Sequence, residues 1–259
     1  MILPSRHFSP FKLFLHRETG TALMLNPKVA TTFTRDFLAK GFVAHLGHAD
    51  PSDFRYRLLK VPRRFPVPPL RDYVDFFRHP EGYALYGFVR NPYGRLLSAW
   101  RNKFLDAHLK TPDHRDSAYP RSMRWRELRP IRRFAAARGL AGGAPGTLVG
   151  FDTFLRYAAT QPEGRRDHHW DAQESVLMMD RLRYARIFRL EDEGDAGFLT
   201  IGARLGFPEG WMRDMLARPP TNRSKAAAGY TPETAALARG LVAGDLARFG
   251  YDADSWQEF

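Results

Sequence analysis

The stretch LMLNPKVATTFTRDF, residues 23–37, begins apolar, breaks at Pro27-Lys28 and runs through two threonines into a helical pattern. The run over residues 21–26 (TALMLN) reads as a short buried strand. Phe33, Phe37 and Leu38 recur at helical spacing over 31–40, and Gly41 stands where a helix C-cap belongs. A helix N-terminus has unpaired N–H groups and a partial positive charge, so it favours an anion. Lys28 adds a full charge at its mouth, and Thr31 and Thr32 add hydroxyls in the first turn. The glycines and the GK[ST] ending of a magnesium-nucleotide loop are missing. Taken alone, the stretch fits an anion cradle and an ordinary strand-to-helix loop equally well.

A second turn of the same kind follows. Residues 83–89 (YALYGFV) form a strong strand candidate that ends at Arg90-Asn91-Pro92. Tyr93, Leu96, Leu97, Trp100 and Phe104 then mark a helix, with Pro92 suited to its first turn. Arg90 sits at the carboxyl end of the strand, and Ser98 lies eight residues on, inside the helix. A guanidinium fork and a hydroxyl make a phosphate clamp, and open α/β sheets bind ligands at the carboxyl ends of their strands. Two such turns predict a ligand with two separated anionic groups.

Elsewhere, residues 42–46 read as a second strand and 184–190 as another, with a helix over 191–205. Asp152 is placed to cap a helix through Ala159. Thr231 and Pro232 open a helix that reaches Phe249 and ends at Gly250. The alternation of strands and helices predicts an α/β domain with a central, mainly parallel sheet. Residues 106–150 read as a basic insertion or lid within a single 259-residue domain.

Hydrophobic content of 44% and aromatic content of 14% are those of a globular chain. No apolar run is long enough to span a membrane, and the N-terminus, broken by Pro4 and Pro10, does not read as a secretory signal. Without cysteine there is no disulfide and no thiolate metal site, and a cytoplasmic location is expected. The formal charge of +12 attracts polyanions.

The pair PKVATTF and FVRNPYGRLLSAWRNKF resembles the two signature motifs of sulfotransferases that use 3′-phosphoadenosine-5′-phosphosulfate (PAPS). The longer motif is most similar to the carbohydrate branch of that family. HHWDAQ (168–173), NRSKAAAGYTPE (222–233) and DLARFGY (245–251) follow as weaker likenesses in the family's order. The resemblance implies a P-loop-NTPase-like three-layer fold. It makes Lys28, Val29, Ala30, Thr31, Thr32 and Phe33 the 5′-phosphosulfate loop, with Ala30 and Phe33 where the family has Gly and Trp. Arg90 and Ser98 become the 3′-phosphate clamp, and Arg223, Ser224 and Lys225 a loop closing over the nucleotide. PAPS is then the donor and 3′,5′-bisphosphoadenosine (PAP) the product.

Sulfuryl transfer asks the protein for positioning and for positive charge at the leaving phosphate. A sulfuryl group carries fewer charges than a phosphoryl group, so no metal is expected. The acceptor hydroxyl needs a base. His48 is the first choice and His169 the second, with His45, His79, Asp50 and Asp53 behind them. Lys60, in the place of a KTH-like strand end, is expected to assist the bridging oxygen.

Residues 55–71 carry six Lys or Arg and no acid, and 110–138 carry nine against three. Both suit an anionic acceptor such as a glycan. A small-molecule kinase is disfavoured by the missing GK[ST]. A nucleic-acid-binding protein is disfavoured by the lack of any recognisable binding motif.

Overall fold

The computed structural model describes residues 5–9, 12–46, 70–110, 115–218 and 229–259. The strands are β1 (Leu13–His16), β2 (Thr21–Met24), β3 (Ala84–Val89) and β4 (Arg186–Arg189). The helices are α1 (Thr31–Leu46), α2 (Leu70–Arg78), α3 (Pro92–Trp100), α4 (Asp106–Leu109), α5 (Arg121–Met123), α6 (Arg129–Ala136), α7 (Phe151–Ala159), α8 (Gln173–Val176), α9 (Leu190–Arg204), α10 (Glu209–Leu216) and α11 (Pro232–Phe249). The described residues fall into two compact units, 1–90 with 173–223 and 91–172 with 224–259.

The first unit holds one sheet in the order β1-β2-β3-β4. β2, β3 and β4 run parallel, with Leu23 opposite Tyr86 and Phe88 opposite Phe188. This is the expected α/β architecture of P-loop-like type with a mainly parallel sheet. β1 is an antiparallel edge strand paired to β2, with Leu13 opposite Met24. Sequence reading misses β1 because it is four residues long and stands between Pro10 and a charged turn.

Around this sheet an aromatic core gathers Phe14, Phe37, Phe88, Phe188, Phe198 and Phe207, all buried. The Phe88 and Phe198 rings stack at 4.6 Å, which seats α9 on β3 and β4. Full burial of such side chains contributes about 1.5–3 kcal/mol each.

Three expectations from the sequence are corrected by the structure. Residues 42–46 are not a strand; α1 continues through them to Leu46. Gly41 is therefore not a cap. A Cβ at Gly41 would lie 2.2 Å from the Phe207 ring, so the glycine permits close packing inside the helix. Likewise Asp152 lies inside α7, whose N-cap is Gly150. By contrast α11 begins and ends as expected: Thr231 and Thr234 form a capping box, Pro232 opens the helix, and Gly250 closes it at φ 67°.

The second unit is helical. Tyr93 is buried and donates its hydroxyl to the Ala253 carbonyl at 3.0 Å, while Tyr230 donates to the Tyr93 carbonyl at 3.0 Å. Trp100 Nε1 donates to the Val149 carbonyl at 2.9 Å. α3 passes through a π turn at Arg101–Leu105 into α4, and a second π turn at Arg124–Leu128 joins α5 to α6. Lys103 and Glu127, one in each π turn, form an ion pair at 3.1 Å. Arg132 donates to the Gly142 and Ala144 carbonyls, each at 2.6 Å, and to Asp116 Oδ1 at 2.6 Å. The Gly- and Pro-containing stretch before α7 is thereby held against α6. No described helix is long and apolar enough to cross a membrane.

The Gly41 contact yields a test. Gly41→Ala raises helix propensity yet forces the Phe207 ring aside, so it is expected to destabilise the protein by about 1–3 kcal/mol in denaturant unfolding. A more stable variant would contradict the packing role.

Candidate functional site

The ends of β2 and β3 are joined by two buried amides. The side chain of Gln173, at the start of α8, is fully enclosed, with 0% exposure. Its Nε2 donates to the Arg90 carbonyl at 2.9 Å, and its Oε1 accepts from the Arg90 N–H at 3.1 Å and from Asn26 Nδ2 at 2.9 Å. Asn26 Nδ2 also reaches the Phe88 carbonyl at 3.3 Å. Strand ends are where ladder pairing stops and backbone groups lose their partners. Here two side chains replace the ladder and fix the residues that precede Lys28 and follow Val89.

The loop from Asn26 into α1 is tightly turned. Val29 is buried and its N–H bonds to the Asn26 carbonyl at 3.2 Å. Lys28 and Ala30 both adopt positive φ, 68° and 47°. Left-handed backbone at a residue with a Cβ costs about 1–2 kcal/mol. Glycine takes that conformation without the penalty, which is a physical reason for the Gly that the resembling motif has at position 30. Thr31 turns its hydroxyl back to the Asn26 carbonyl at 2.9 Å, so it braces the loop. Thr32 is exposed. Thr34 N–H bonds to the Ala30 carbonyl at 2.9 Å, the first regular bond of α1, so the amides of residues 31–33 make up the helix's unpaired first turn. Phe33 packs edge-on against Phe198 at 4.9 Å, in the place where the motif has Trp.

Arg90 belongs to this loop as well. Its Nη1 donates to the Lys28 carbonyl at 3.2 Å, and its Nε lies 4.0 Å from Glu191 Oε1. The sheet thus brings Lys28, the start of α1 and Arg90 into one cationic strand-end cluster. Glu191 bounds it with a carboxylate, a feature at odds with anion binding.

In the second unit α3 carries Ser98. Asn91 caps the helix by accepting from the Tyr93 N–H at 3.0 Å. Every residue of α3 except Ser98 is buried, and Ser98 is half-buried. Arg95, 2% exposed, donates to the Asp171 carbonyl at 2.5 Å and the His168 carbonyl at 2.8 Å. These bonds hold the segment that carries His169. The His169 ring nitrogen Nδ1 lies 2.5 Å from Asp167 Oδ1, which also accepts the His169 N–H at 2.9 Å. Burial alone would raise the Asp167 carboxyl; hydrogen bonds from His169 and the charge of both neighbouring histidines overcome it and hold it well below the ordinary carboxylate range. Donor atoms of Asp167, His168 and His169 lie within 4.8 Å of one another. The carboxylate contact at Nδ1 fixes the orientation of the imidazole ring.

His48, Lys60, Arg223, Ser224 and Lys225 lie outside the described residues, as do Asp50 and Asp53. His45 is on α1. His79 is exposed beside Glu81 at 3.4 Å. Sequence reasoning gives Asn26, Asp167 and Arg95 no role. It meets Gln173 only as the last letter of HHWDAQ, and that likeness is the available signal.

The enclosed Gln173 amide makes a prediction. Gln173→Leu keeps the volume but removes its bonds to the Arg90 N–H and C=O and one of the two bonds made by Asn26 Nδ2. It is expected to lower stability by about 2–4 kcal/mol in denaturant unfolding, since unpaired buried polar groups are penalised in full. A loss below about 0.5 kcal/mol would show that the strand ends do not depend on it.

The profile of the sulfotransferase family matches residues 61–228, well over half of the chain. The matched region includes Arg90, Ser98, the 167–173 segment and residues 222–225; the Lys28 loop precedes it. No curated protein and no solved structure matches the chain. The match over these residues, with a mainly parallel sheet presenting a cationic strand-end loop, places the chain in the sulfotransferase family, whose reaction is the transfer of a sulfuryl group.

Proposed function

We propose that this sulfotransferase takes its sulfuryl group from PAPS, releases PAP, and sulfates a hydroxyl of a carbohydrate acceptor. The observation that carries the donor assignment is the strand-end cluster, in which Arg90 bonds to the carbonyl of Lys28 beside the first turn of α1. It supplies cations and amide donors of the kind that a phosphosulfate requires.

Each residue then has a role. Lys28 and the amides of residues 31–33 offset negative charge that grows on the bridging oxygen and the 5′-phosphate as the sulfur–oxygen bond lengthens. Val29, Ala30, Thr31, Thr32 and Phe33 give the loop its shape. Arg90 and Ser98 hold the 3′-phosphate, and Arg223, Ser224 and Lys225 close over the nucleotide. His169 Nε2 takes the acceptor's proton as its oxygen bonds to sulfur, with Asp167 stabilising the imidazolium that forms. Reliance on His169 departs from the first choice made on sequence, His48, because His169 has an orienting carboxylate. The carbohydrate assignment rests on the likeness of the 88–104 motif to the carbohydrate branch.

With sulfur-labelled donor, Lys28→Ala and Arg90→Ala are each expected to cut turnover by about 100-fold or more while circular dichroism is unchanged. Retained turnover in either removes its role. A chain that instead transfers phosphate from ATP with magnesium would be the kinase alternative.

The base has a separate test. His169→Ala is expected to lower kcat by about 100-fold or more with PAP affinity kept. Asp167→Asn is expected to give a smaller loss and a displaced pH–rate profile. Unchanged turnover in His169→Ala moves the base to His48. The carboxyl also predicts a stability effect with a definite sign. Its folded pKa is depressed, so its contribution is present above about pH 4, the ordinary Asp value, and is lost as pH falls toward the folded value. The stability gap between wild type and Asp167→Asn is therefore expected to narrow on acidification.

A further inference from the structure

The helical stretch from α5 through the π turn into α6 carries an unusual outer face. Arg121, Trp125, Arg129 and Arg133 recur at every fourth residue, and all four are exposed. The opposite face is buried through Leu128, Ile131 and Ala135. Trp125 is 55% exposed, although it is large and apolar, and nothing in the hydrophobic interior accounts for it. The Arg129 guanidinium lies 3.7 Å from the Trp125 ring centroid, which aligns these two side chains on one face.

The face has no acidic counterweight of its own. Between Asp116 and Asp152 the only acidic residue is Glu127, which is buried and paired with Lys103. Asp116 is bound to Arg132, on the inner side. Arg121 to Arg133 therefore spans roughly 18 Å of helix as a row of cations with one flat aromatic set among them.

We propose that this row is a binding site for an anionic oligosaccharide, the class of molecule proposed above as the acceptor. Guanidinium forks match carboxylate and sulfate groups in two-point contact, and successive arginines suit charges repeated along a linear chain. The Arg129 guanidinium covers one face of the indole; the other face, on a side chain 55% exposed, would take the C–H face of a sugar ring, with Arg129 beside it for the acidic substituent of that ring. A single-stranded nucleic acid also pairs cations with aromatics, but it draws on successive stacking platforms, whereas this row has one. The proposal rests on the reading of the acceptor as a carbohydrate and narrows it to uronate-containing or sulfated chains.

Calorimetry on the full chain tests this, with a heparin-derived hexasaccharide as the anionic probe, maltohexaose as the neutral one, and hexathymidylate for nucleic acid. Binding of the heparin hexasaccharide is expected, weakening with added salt, with little binding of maltohexaose. Trp125→Ala and the pair Arg129→Gln with Arg133→Gln are each expected to weaken it by about tenfold or more. Arg213→Gln, at an exposed arginine of α10 outside both the row and the donor loop, is expected to bind it as wild type does. Unaltered affinity in both row variants, or no binding by wild type, overturns the site. So does hexathymidylate that binds more tightly and is lost in the same variants. PAP titrated in parallel keeps the two readings apart. A chain that binds the hexasaccharide through Trp125 but not PAP refutes the donor assignment alone. A chain that binds PAP but not the hexasaccharide refutes this site alone.

Discussion

Much of the first unit's organisation at its functional end depends on one enclosed amide. Gln173 satisfies the backbone N–H and C=O of Arg90 and reaches Asn26 on the neighbouring strand. A parallel sheet ends in groups that point along the strands with nothing to pair them. Left to water, those groups would let the strand ends fray and the loops beyond them move. The two amides instead fix the chain next to Lys28 and Arg90. They also explain how a loop with two left-handed non-glycine residues persists, since such strain survives only where the surroundings over-determine it.

Much of the architecture is legible in the amino-acid sequence. β2, β3, β4, α9 and α11 stand within two or three residues of where pattern and capping place them, because each joins a strong period to a clear stop signal. The misreadings have physical causes. Gly41 looks like a stop because glycine often ends helices, yet here it answers the approach of Phe207, a partner far away in sequence. β1 is missed because a four-residue strand has too little period to outweigh nearby breakers. The π turns at 101–105 and 124–128 leave no simple mark in sequence.

The candidate site is legible in part. Lys28 and Arg90 stand out in the sequence because charge at a strand-to-helix turn has a direct meaning, and the bond from Arg90 to the Lys28 carbonyl brings the two turns together. Arg95 does not, because an arginine in a basic chain reads as surface until its burial against two carbonyls is seen. Asp167 is similar: its effect comes from a short bond to a histidine two residues away, and nothing in the letters D-H-H sets that geometry. The +12 charge is too coarse a guide, since some cations brace the interior, as Arg132 does, while others line an outer face.

The donor-binding assignment requires that the strand-end cluster recognise a nucleotide with phosphates at both ends of its ribose, without a divalent ion to bridge them. The most direct measurement is calorimetric titration of the wild-type chain with PAP in the presence of EDTA, set against ATP under the same conditions. The account predicts one PAP bound per chain, with far weaker binding of ATP. Binding of ATP equal to that of PAP, or PAP binding that appears only when magnesium is restored, would contradict it.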